Sequence, residues 1–308
     1  MQDFIATLIK APDAAPLTPA LAEQVAGVLP EGRVARWLSA GEAVDVAFSA
    51  AAGLEAHNPL ERSFLASAAQ RVRAALAQAR VDAVLQRAAD RRRKLLLADM
   101  DSTMIGQECI DELADFVGMK AHVAAITERA MRGEIAFEPA LRERVALLKG
   151  LEASVVDKVI AERITLTPGG RALIQTMRAN GAHTALVSGG FTLFTAQIAQ
   201  KIGFHENRAN ILEIEAGKFA GRVREPILGK EAKLASLIEL REAHGLKAHE
   251  TMAVGDGAND LAMLGEAGLG VAFHAKPAVA EAAHARIDHG DLSTLLFAQG
   301  YAREEFAG

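Results

Sequence analysis

The stretch Lys94-Leu-Leu-Leu-Ala-Asp-Met-Asp-Ser-Thr-Met104 restricts the possible folds more than any other part of the chain. Four apolar residues, Leu95 to Ala98, run directly into Asp99, and Asp101 follows two positions later. A short apolar run without polar alternation reads as a strand buried on both faces, which is how strands of a parallel sheet covered by helices look. Asp99 then emerges at the carboxyl end of that strand, where open α/β sheets place their ligand sites. Two carboxylates this close repel one another, so they stay ionised only beside a cation, or one of them keeps a proton. A metal site, a nucleophile beside an acid/base, and a solvated Asp-x-Asp turn all satisfy this stretch taken alone.

At 308 residues the chain is long enough for two domains or one large one, and its half-apolar, quarter-charged composition is that of a globular protein. The net charge of −5 gives no electrostatic case for nucleic acid as a partner. The run Arg91-Arg92-Arg93-Lys94 is short and adjoins a strand, and reads as a solvated linker. Cys109 is the only cysteine, which excludes an intrachain disulfide, and its helical spacing with Ile105 and Leu113 makes it a core thiol. There is no apolar stretch of about 18 residues, so no membrane span is expected. The first ten residues lack the basic and apolar regions of a signal peptide, so a cytoplasmic protein is expected.

Residues 3–10 read as a strand, and Thr18 as the cap of a helix to about Val28. Strands follow at Val34–Leu38 and Ala43–Phe48. Glu61–Ala77 places Phe64, Leu65, Ala68, Val72 and Leu76 on one helical face, and Val81–Leu85 is a last strand. This β-α-β-β-α-β order is that of a ferredoxin-like sandwich and resembles the ACT-type amino-acid-sensing domains. Residues 1–90 contain no catalytic constellation; His57 and Trp37 stand alone as structural or surface residues.

From residue 91 to 308 the expected architecture is a Rossmann-like parallel sheet with helices on both faces. A helical segment without a convincing strand, about 106–165, interrupts it as a candidate cap. Helices are expected at 169–180, 193–202 and 230–243, and strands at Thr184–Val187, Thr251–Val254, Leu269–Phe273 and near Arg286–Asp288. Asn210–Glu215 and Lys218–Arg224 are expected to form a hairpin around Ala216-Gly217.

Three strand ends then fall on one edge of the sheet: Asp99/Asp101, Ser188-Gly189-Gly190, and Asp256 with Asn259 and Asp260. Each alone fits a turn or a helix cap. Together, Asp99, Asp101 and Asp256 supply hard oxygen ligands with no histidine or cysteine nearby, which suits Mg²⁺ over zinc. Ser188 offers a hydroxyl, and Gly189-Gly190 allows backbone N–H groups to approach an anion at the next helix N-terminus. Lys233, on the helix before the third of these strands, is taken alone a surface lysine, and beside these strand ends a cation for a phosphate.

The sequence Asp-Met-Asp-Ser-Thr, Val-Ser-Gly-Gly-Phe, a helical lysine and Val-Gly-Asp-Gly-Ala-Asn-Asp, in that order, resembles the haloacid dehalogenase superfamily of phosphotransferases. Glu108, the segment Ala130-Met-Arg-Gly-Glu-Ile-Ala-Phe137 and Leu141-Arg-Glu-Arg-Val145 are similar to its phosphoserine phosphatase branch, over about residues 94–290. The resemblance implies that Asp99 is a nucleophile forming an aspartyl-phosphate, and Asp101 the acid and later base. Mg²⁺ would be held by the Asp99 and Asp256 side chains and the Asp101 backbone carbonyl, with Asp260 acting through water. Ser188, Gly189, Gly190 and Lys233 would bind the phosphoryl oxygens, and Asn259 would orient substrate and waters. Glu108 is implied as the ammonium partner of phosphoserine and Arg144 as its carboxylate clamp. Met131, Gly133 and Phe137 would close over the substrate. The implied reaction is the last step of serine biosynthesis. A related phosphomonoester as substrate, an amino-acid effector on residues 1–90 and a homodimer stay open.

Overall fold

The computed structural model describes residues 4–50, 54, 58–77, 79–131 and 134–307, with the side chains of 128, 130 and 131 excepted. His57 and Gly133 lie outside the described residues, as does the Met131 side chain.

The chain opens with β1 (Phe4–Lys10), α1 (Pro19–Gly27), β2 (Arg33–Ser39), β3 (Ala43–Phe48), α2 (Pro59–Ala75) and β4 (Val81–Arg87). Thr18 caps α1 by accepting the Leu21 amide at 3.2 Å, and Asn58 caps α2 by accepting that of Glu61 at 2.8 Å. The strands form one antiparallel sheet in the order β2-β3-β1-β4. Phe4, Leu8, Val44, Val46 and Phe48 pack against Val25, Ala68 and Val72 of the two helices.

The parallel sheet begins at β5 (Leu95–Ala98), followed by a tight turn, Met100–Met104, in which Ser102 takes φ +57°. Four helices follow: α3 (Cys109–Phe116), α4 (Lys120–Met131), α5 (Phe137–Ala146) and α6 (Val155–Glu162). Next come α7 (Gly170–Ala179), β6 (His183–Phe191), α8 (Thr192–Ile202) and β7 (Glu206–Asn210). A separate hairpin of β8 (Leu212–Glu215) and β9 (Lys218–Val223) leads to α9 (Lys230–Ala243) and β10 (Thr251–Gly255). The remainder is α10 (Leu261–Glu266), β11 (Leu269–Phe273), α11 (Pro277–Ala282), β12 (Ala285–Ile287) and α12 (Thr294–Ala298). The sheet order is β12-β11-β10-β5-β6-β7, with every pairing parallel. β5 is central, and Leu95 to Ala98 are fully buried, as a strand covered on both faces must be.

Three expectations need correction. Glu206–Asn210 is the edge strand of the main sheet, so Asn210 ends β7 and does not open the hairpin. Its sequence, Glu-Asn-Arg-Ala-Asn, has no apolar run because an edge strand is only half-covered. β6 does not stop at Val187: it continues through Ser188-Gly189-Gly190 to Phe191, so the glycines lie in extended backbone before α8. The run Arg91–Lys94 is only partly solvated: Arg92 and Lys94 are exposed, Arg91 is half-buried and Arg93 is buried. Arg91 bonds Asp45 at 2.8 Å, Arg92 bonds Glu305 at 2.8 Å, and Arg93 is buried, donating to Gln86 at 2.6 Å and to the His249 carbonyl. This run joins the two sheets. Beyond β12, where sequence alone assigned nothing, α12 and Tyr301 pack into the same seam, and Gln86 donates to the Ala298 carbonyl at 2.7 Å.

Candidate active site

Asp99 and Asp256 follow β5 and β10, and Ser188 lies in the last part of β6, the strand on the other side of β5. Ala98 is in register with Leu186 on one side and Val254 on the other, and the Asp99 amide donates to the Val254 carbonyl at 3.0 Å. Asp99, Ser188 and Asp256 therefore lie at one level along the sheet. Asp99 is 5% exposed. Its Oδ1 accepts the Met100 amide at 2.8 Å and the Lys233 ammonium at 2.7 Å, so these bonds all fall on one oxygen.

Lys233 lies on the first turns of α9, is 2% exposed, and also donates to Asp260 at 2.6 Å. Burial works against its charge, but Asp99 and Asp260 outweigh burial and hold its pKa above the usual lysine value. For Asp99, burial is the largest influence and raises its pKa well above the carboxylate range, with Lys233 opposing. Burial likewise raises Asp101 to about 7, helped by the negative charge of Glu108; the thiol and amide of Cys109 partly offset this. Asp256 is raised by burial and by Asp260, while the Thr103 hydroxyl, donating at 3.3 Å, supports its charged form.

Asp99, Asp256 and Asp260 each present a carboxylate oxygen within 4.8 Å of the others. With Asp101 beside them, four carboxyl groups crowd around the single Lys233 ammonium. The Asp101 Oδ1 is buried and has no hydrogen-bond partner. An all-oxygen, strongly anionic cluster with a buried polar atom lacking a partner fits a hard divalent cation of the Mg²⁺ kind. Histidine and cysteine are absent from the cluster among the described residues.

Glycines keep the cluster compact. A Cβ on Gly255 would collide with the Asp260 carboxylate, and one on Gly190 would lie 3.0 Å from Ser188 Oγ and 3.4 Å from Asp101 Oδ2. The Gly257 amide donates to Asp260 Oδ2 at 3.0 Å, and the Gly190 amide to Ser188 Oγ at 2.9 Å. Asn259 is exposed and folds its side-chain oxygen over Gly257, next to the Asp256 and Asp260 loop.

The helical segment covers this edge. Phe137, the first residue of α5, is 38% exposed, and its ring lies over Gly189 and Gly229, 3.5 and 3.6 Å from where their side chains would begin. Glu108 precedes α3 and accepts from Ser102 Oγ at 2.7 Å; its side chain is partly exposed, yet burial of the carboxyl raises its pKa. Arg144 donates to the Ala140 carbonyl at 3.2 Å and to Thr127 Oγ1 at 3.3 Å. Among the described residues no carboxylate lies within ion-pair distance of it; burial lowers its pKa, with Asp111 and Glu108 opposing.

Sequence reasoning missed Thr103 and Asn210. Thr103 is fully buried against Asp256, and its position at the end of Asp-Met-Asp-Ser-Thr was the available signal. Asn210 had no such signal, because its partners are remote in sequence.

The profile of the haloacid dehalogenase-like hydrolase family matches residues 96–265, more than half of the chain. The chain belongs to that family. The hydrolase is 47% identical over 215 residues to a phosphoserine phosphatase of Streptomyces coelicolor, a match spanning 70% of this chain. It covers only 52% of that relative, about half of its length. A solved structure of a probable phosphoserine phosphatase from Vibrio cholerae, in unliganded form, aligns over 99% of the hydrolase and 88% of its own chain, with TM-score 0.76 and 30% identity. A solved phospho-aspartyl intermediate analogue of a phosphoserine phosphatase aligns over 67% of the hydrolase and 98% of that chain, with TM-score 0.62 and 41% identity.

Proposed function

We propose that the hydrolase is a Mg²⁺-dependent phosphoserine phosphatase that releases L-serine and phosphate. The observation that carries this reading is the Asp99–Lys233–Asp260 arrangement beside Asp101 and Asp256, beneath a helical segment bearing Glu108 and Arg144. Asp99 is the nucleophile. With Lys233 and the Met100 amide on Oδ1, Oδ2 is left for attack on phosphorus. The P–O bond to serine breaks as the Asp99–P bond forms, which divides one hard step into two easier ones. Asp101 gives its proton to the departing serine oxygen and then takes one from the water that hydrolyses the aspartyl-phosphate. A carboxyl raised to about 7 exchanges its proton near neutral pH, so it can serve both as acid and as base. The solved phospho-aspartyl analogue of a 41% identical relative supports the covalent route.

Asp99 and Asp256, with the Asp101 backbone carbonyl, would hold the Mg²⁺, and Asp260 would act through water. The bound ion supplies positive charge that lets an anionic nucleophile approach a phosphate. Ser188, Gly189, Gly190 and Lys233 bind the phosphoryl oxygens and stabilise the charge they develop. Glu108 receives the substrate ammonium and Arg144 its carboxylate, for which a guanidinium fork is suited. Phe137, Met131 and Gly133 close over the substrate and keep water out, and Asn259 orients it. Chemistry of this kind is the terminal step of serine formation. An amino-acid effector on residues 1–90 belongs to the same reading and is supported by their ferredoxin-like layout.

Replacing Asp99 with Asn tests the assignment. Phosphate release from O-phospho-L-serine should be abolished, with the far-UV circular dichroism spectrum retained. Substantial residual turnover in a folded variant would remove Asp99 as the nucleophile.

A further inference from the structure

Strands β6 and β7 pair in register up to Val187↔Arg208, and next at Phe191↔Asn210. Between these pairs β6 has Ser188, Gly189 and Gly190, whereas β7 has only Ala209. The longer side must bulge out of the ladder, as β-bulges beside functional sites do. A bulge turns polar backbone away from its ladder partners, and a buried carbonyl without a partner is costly.

The Asn210 side chain takes up that carbonyl. Asn210 is 1% exposed, and its Nδ2 donates to Gly189 O at 2.8 Å. The same Nδ2 donates to Leu228 O at 3.2 Å, while Oδ1 accepts the Leu228 amide at 2.7 Å. Both donors of the carboxamide are thus used on two separate segments. One is the Ser188–Gly190 bulge. The other is the turn into α9, which leads through Gly229 to Lys233. Phe137 rests on a glycine from each segment, Gly189 and Gly229.

We infer that Asn210 is a positioning residue that holds the Ser188-Gly189-Gly190 bulge and the start of α9 at a fixed spacing, and so sets the phosphoryl pocket between them. Asn210 touches no reacting atom. The inference rests on the proposed phosphatase reading only in that both segments bind the phosphoryl group. Aspartate at this position has nearly the same shape but lacks both donors; alanine removes the whole carboxamide.

The test compares Asn210→Asp and Asn210→Ala with Asn207→Ala in the full chain with Mg²⁺. Asn207 lies on the same strand and accepts from Thr195 Oγ1 on α8 at 2.8 Å, away from both segments. Turnover of O-phospho-L-serine and of p-nitrophenyl phosphate is measured below each variant's own melting temperature. Misplacing a catalytic group by about 1 Å can cost about 10²-fold, so kcat of either Asn210 variant should fall about 10- to 100-fold. The fall should be equal for the two substrates, since the pocket they share is what moves, and the rise in melting temperature given by inorganic phosphate should shrink. Asn207→Ala should lower the melting temperature and keep its kcat. Folded Asn210 variants that keep wild-type kcat would overturn the inference, as would an equal loss in Asn207→Ala. If one Asn210 variant does not fold, the other decides by the same readings. If the wild type cleaves p-nitrophenyl phosphate but not phosphoserine, the substrate assignment fails while the Asn210 comparison stands on the first substrate.

Discussion

At the scale of single residues, the site is defined by charge held against burial. Lys233 bonds both Asp99 and Asp260, and all three are almost fully buried. Removing one partner of a buried ion pair strands the other, at a cost of about 3–5 kcal/mol. Lys233→Met should therefore lower the melting temperature markedly as well as suppress turnover; a variant as stable as the parent would contradict the ion-pair geometry. Arg144 is a second case. Two protein oxygens already hold it at 3.2 and 3.3 Å, so it is oriented before any carboxylate arrives. Arg144→Ala should reduce kcat/KM for phosphoserine about 10²-fold or more, while p-nitrophenyl phosphate, which has no α-carboxylate, loses far less. Equal losses on the two substrates would remove Arg144 from substrate selection. The acidic residues were legible in the sequence because Asp99, Asp101, Asp256 and Asp260 sit next to apolar runs that announce their strands. Burial of Lys233 was not legible: a lysine on an amphipathic helix looks solvated until its partners are placed around it.

At the scale of elements, the central strands were legible and the edge was not. Leu95–Ala98, Thr251–Gly255 and Leu269–Phe273 are buried on both faces and read directly as apolar runs. β7 lies at the sheet edge, and Asn207, Arg208 and Asn210 answer to side-chain hydrogen bonds with other elements, so no periodicity marks it. The bulge at Ser188–Gly190 was hidden for the same reason, since its partner residue is remote in sequence. His284, just before β12, gives a prediction at this scale. Its Nδ1 accepts the Gly270 amide of β11 at 3.0 Å. Burial, with Arg62 and Arg93 nearby, pushes its pKa down to about 4, below the unfolded value of about 6.5. The unfolded chain therefore binds this proton first, so the stability His284 contributes is complete above about pH 6.5 and is lost as pH falls towards 4. Urea midpoints measured across that window should fall less steeply in His284→Asn, which keeps an acceptor but does not titrate. Identical slopes would contradict the assignment.

At the scale of the whole molecule, the two sheets meet through a seam that sequence reading took for a linker. Arg91, Arg92 and Arg93 bond across it, and Asp82 of β4 accepts the amides of Asp288, His289 and Gly290 at 2.8, 3.2 and 2.7 Å. A run of four basic residues carries no mark of burial, because two of its partners, Asp45 and Glu305, come from distant segments and the third, Gln86, sits on the strand before it. Asp82→Ala should cost about 1–3 kcal/mol for each buried donor left unsatisfied. Scanning calorimetry should show a lower melting temperature with little change in kcat, and an unaltered melting temperature would mean that the seam does not contribute to stability.

The central claim is that this site hydrolyses phosphoserine with the help of a divalent cation. Phosphate release measured over a panel of small phosphomonoesters, with Mg²⁺ and after its chelation, tests it most directly. O-phospho-L-serine should give the highest kcat/KM of the panel, and chelation should abolish turnover until Mg²⁺ is restored. Undiminished turnover after chelation, or a clear preference for a phosphomonoester lacking the amino-acid group, would contradict it.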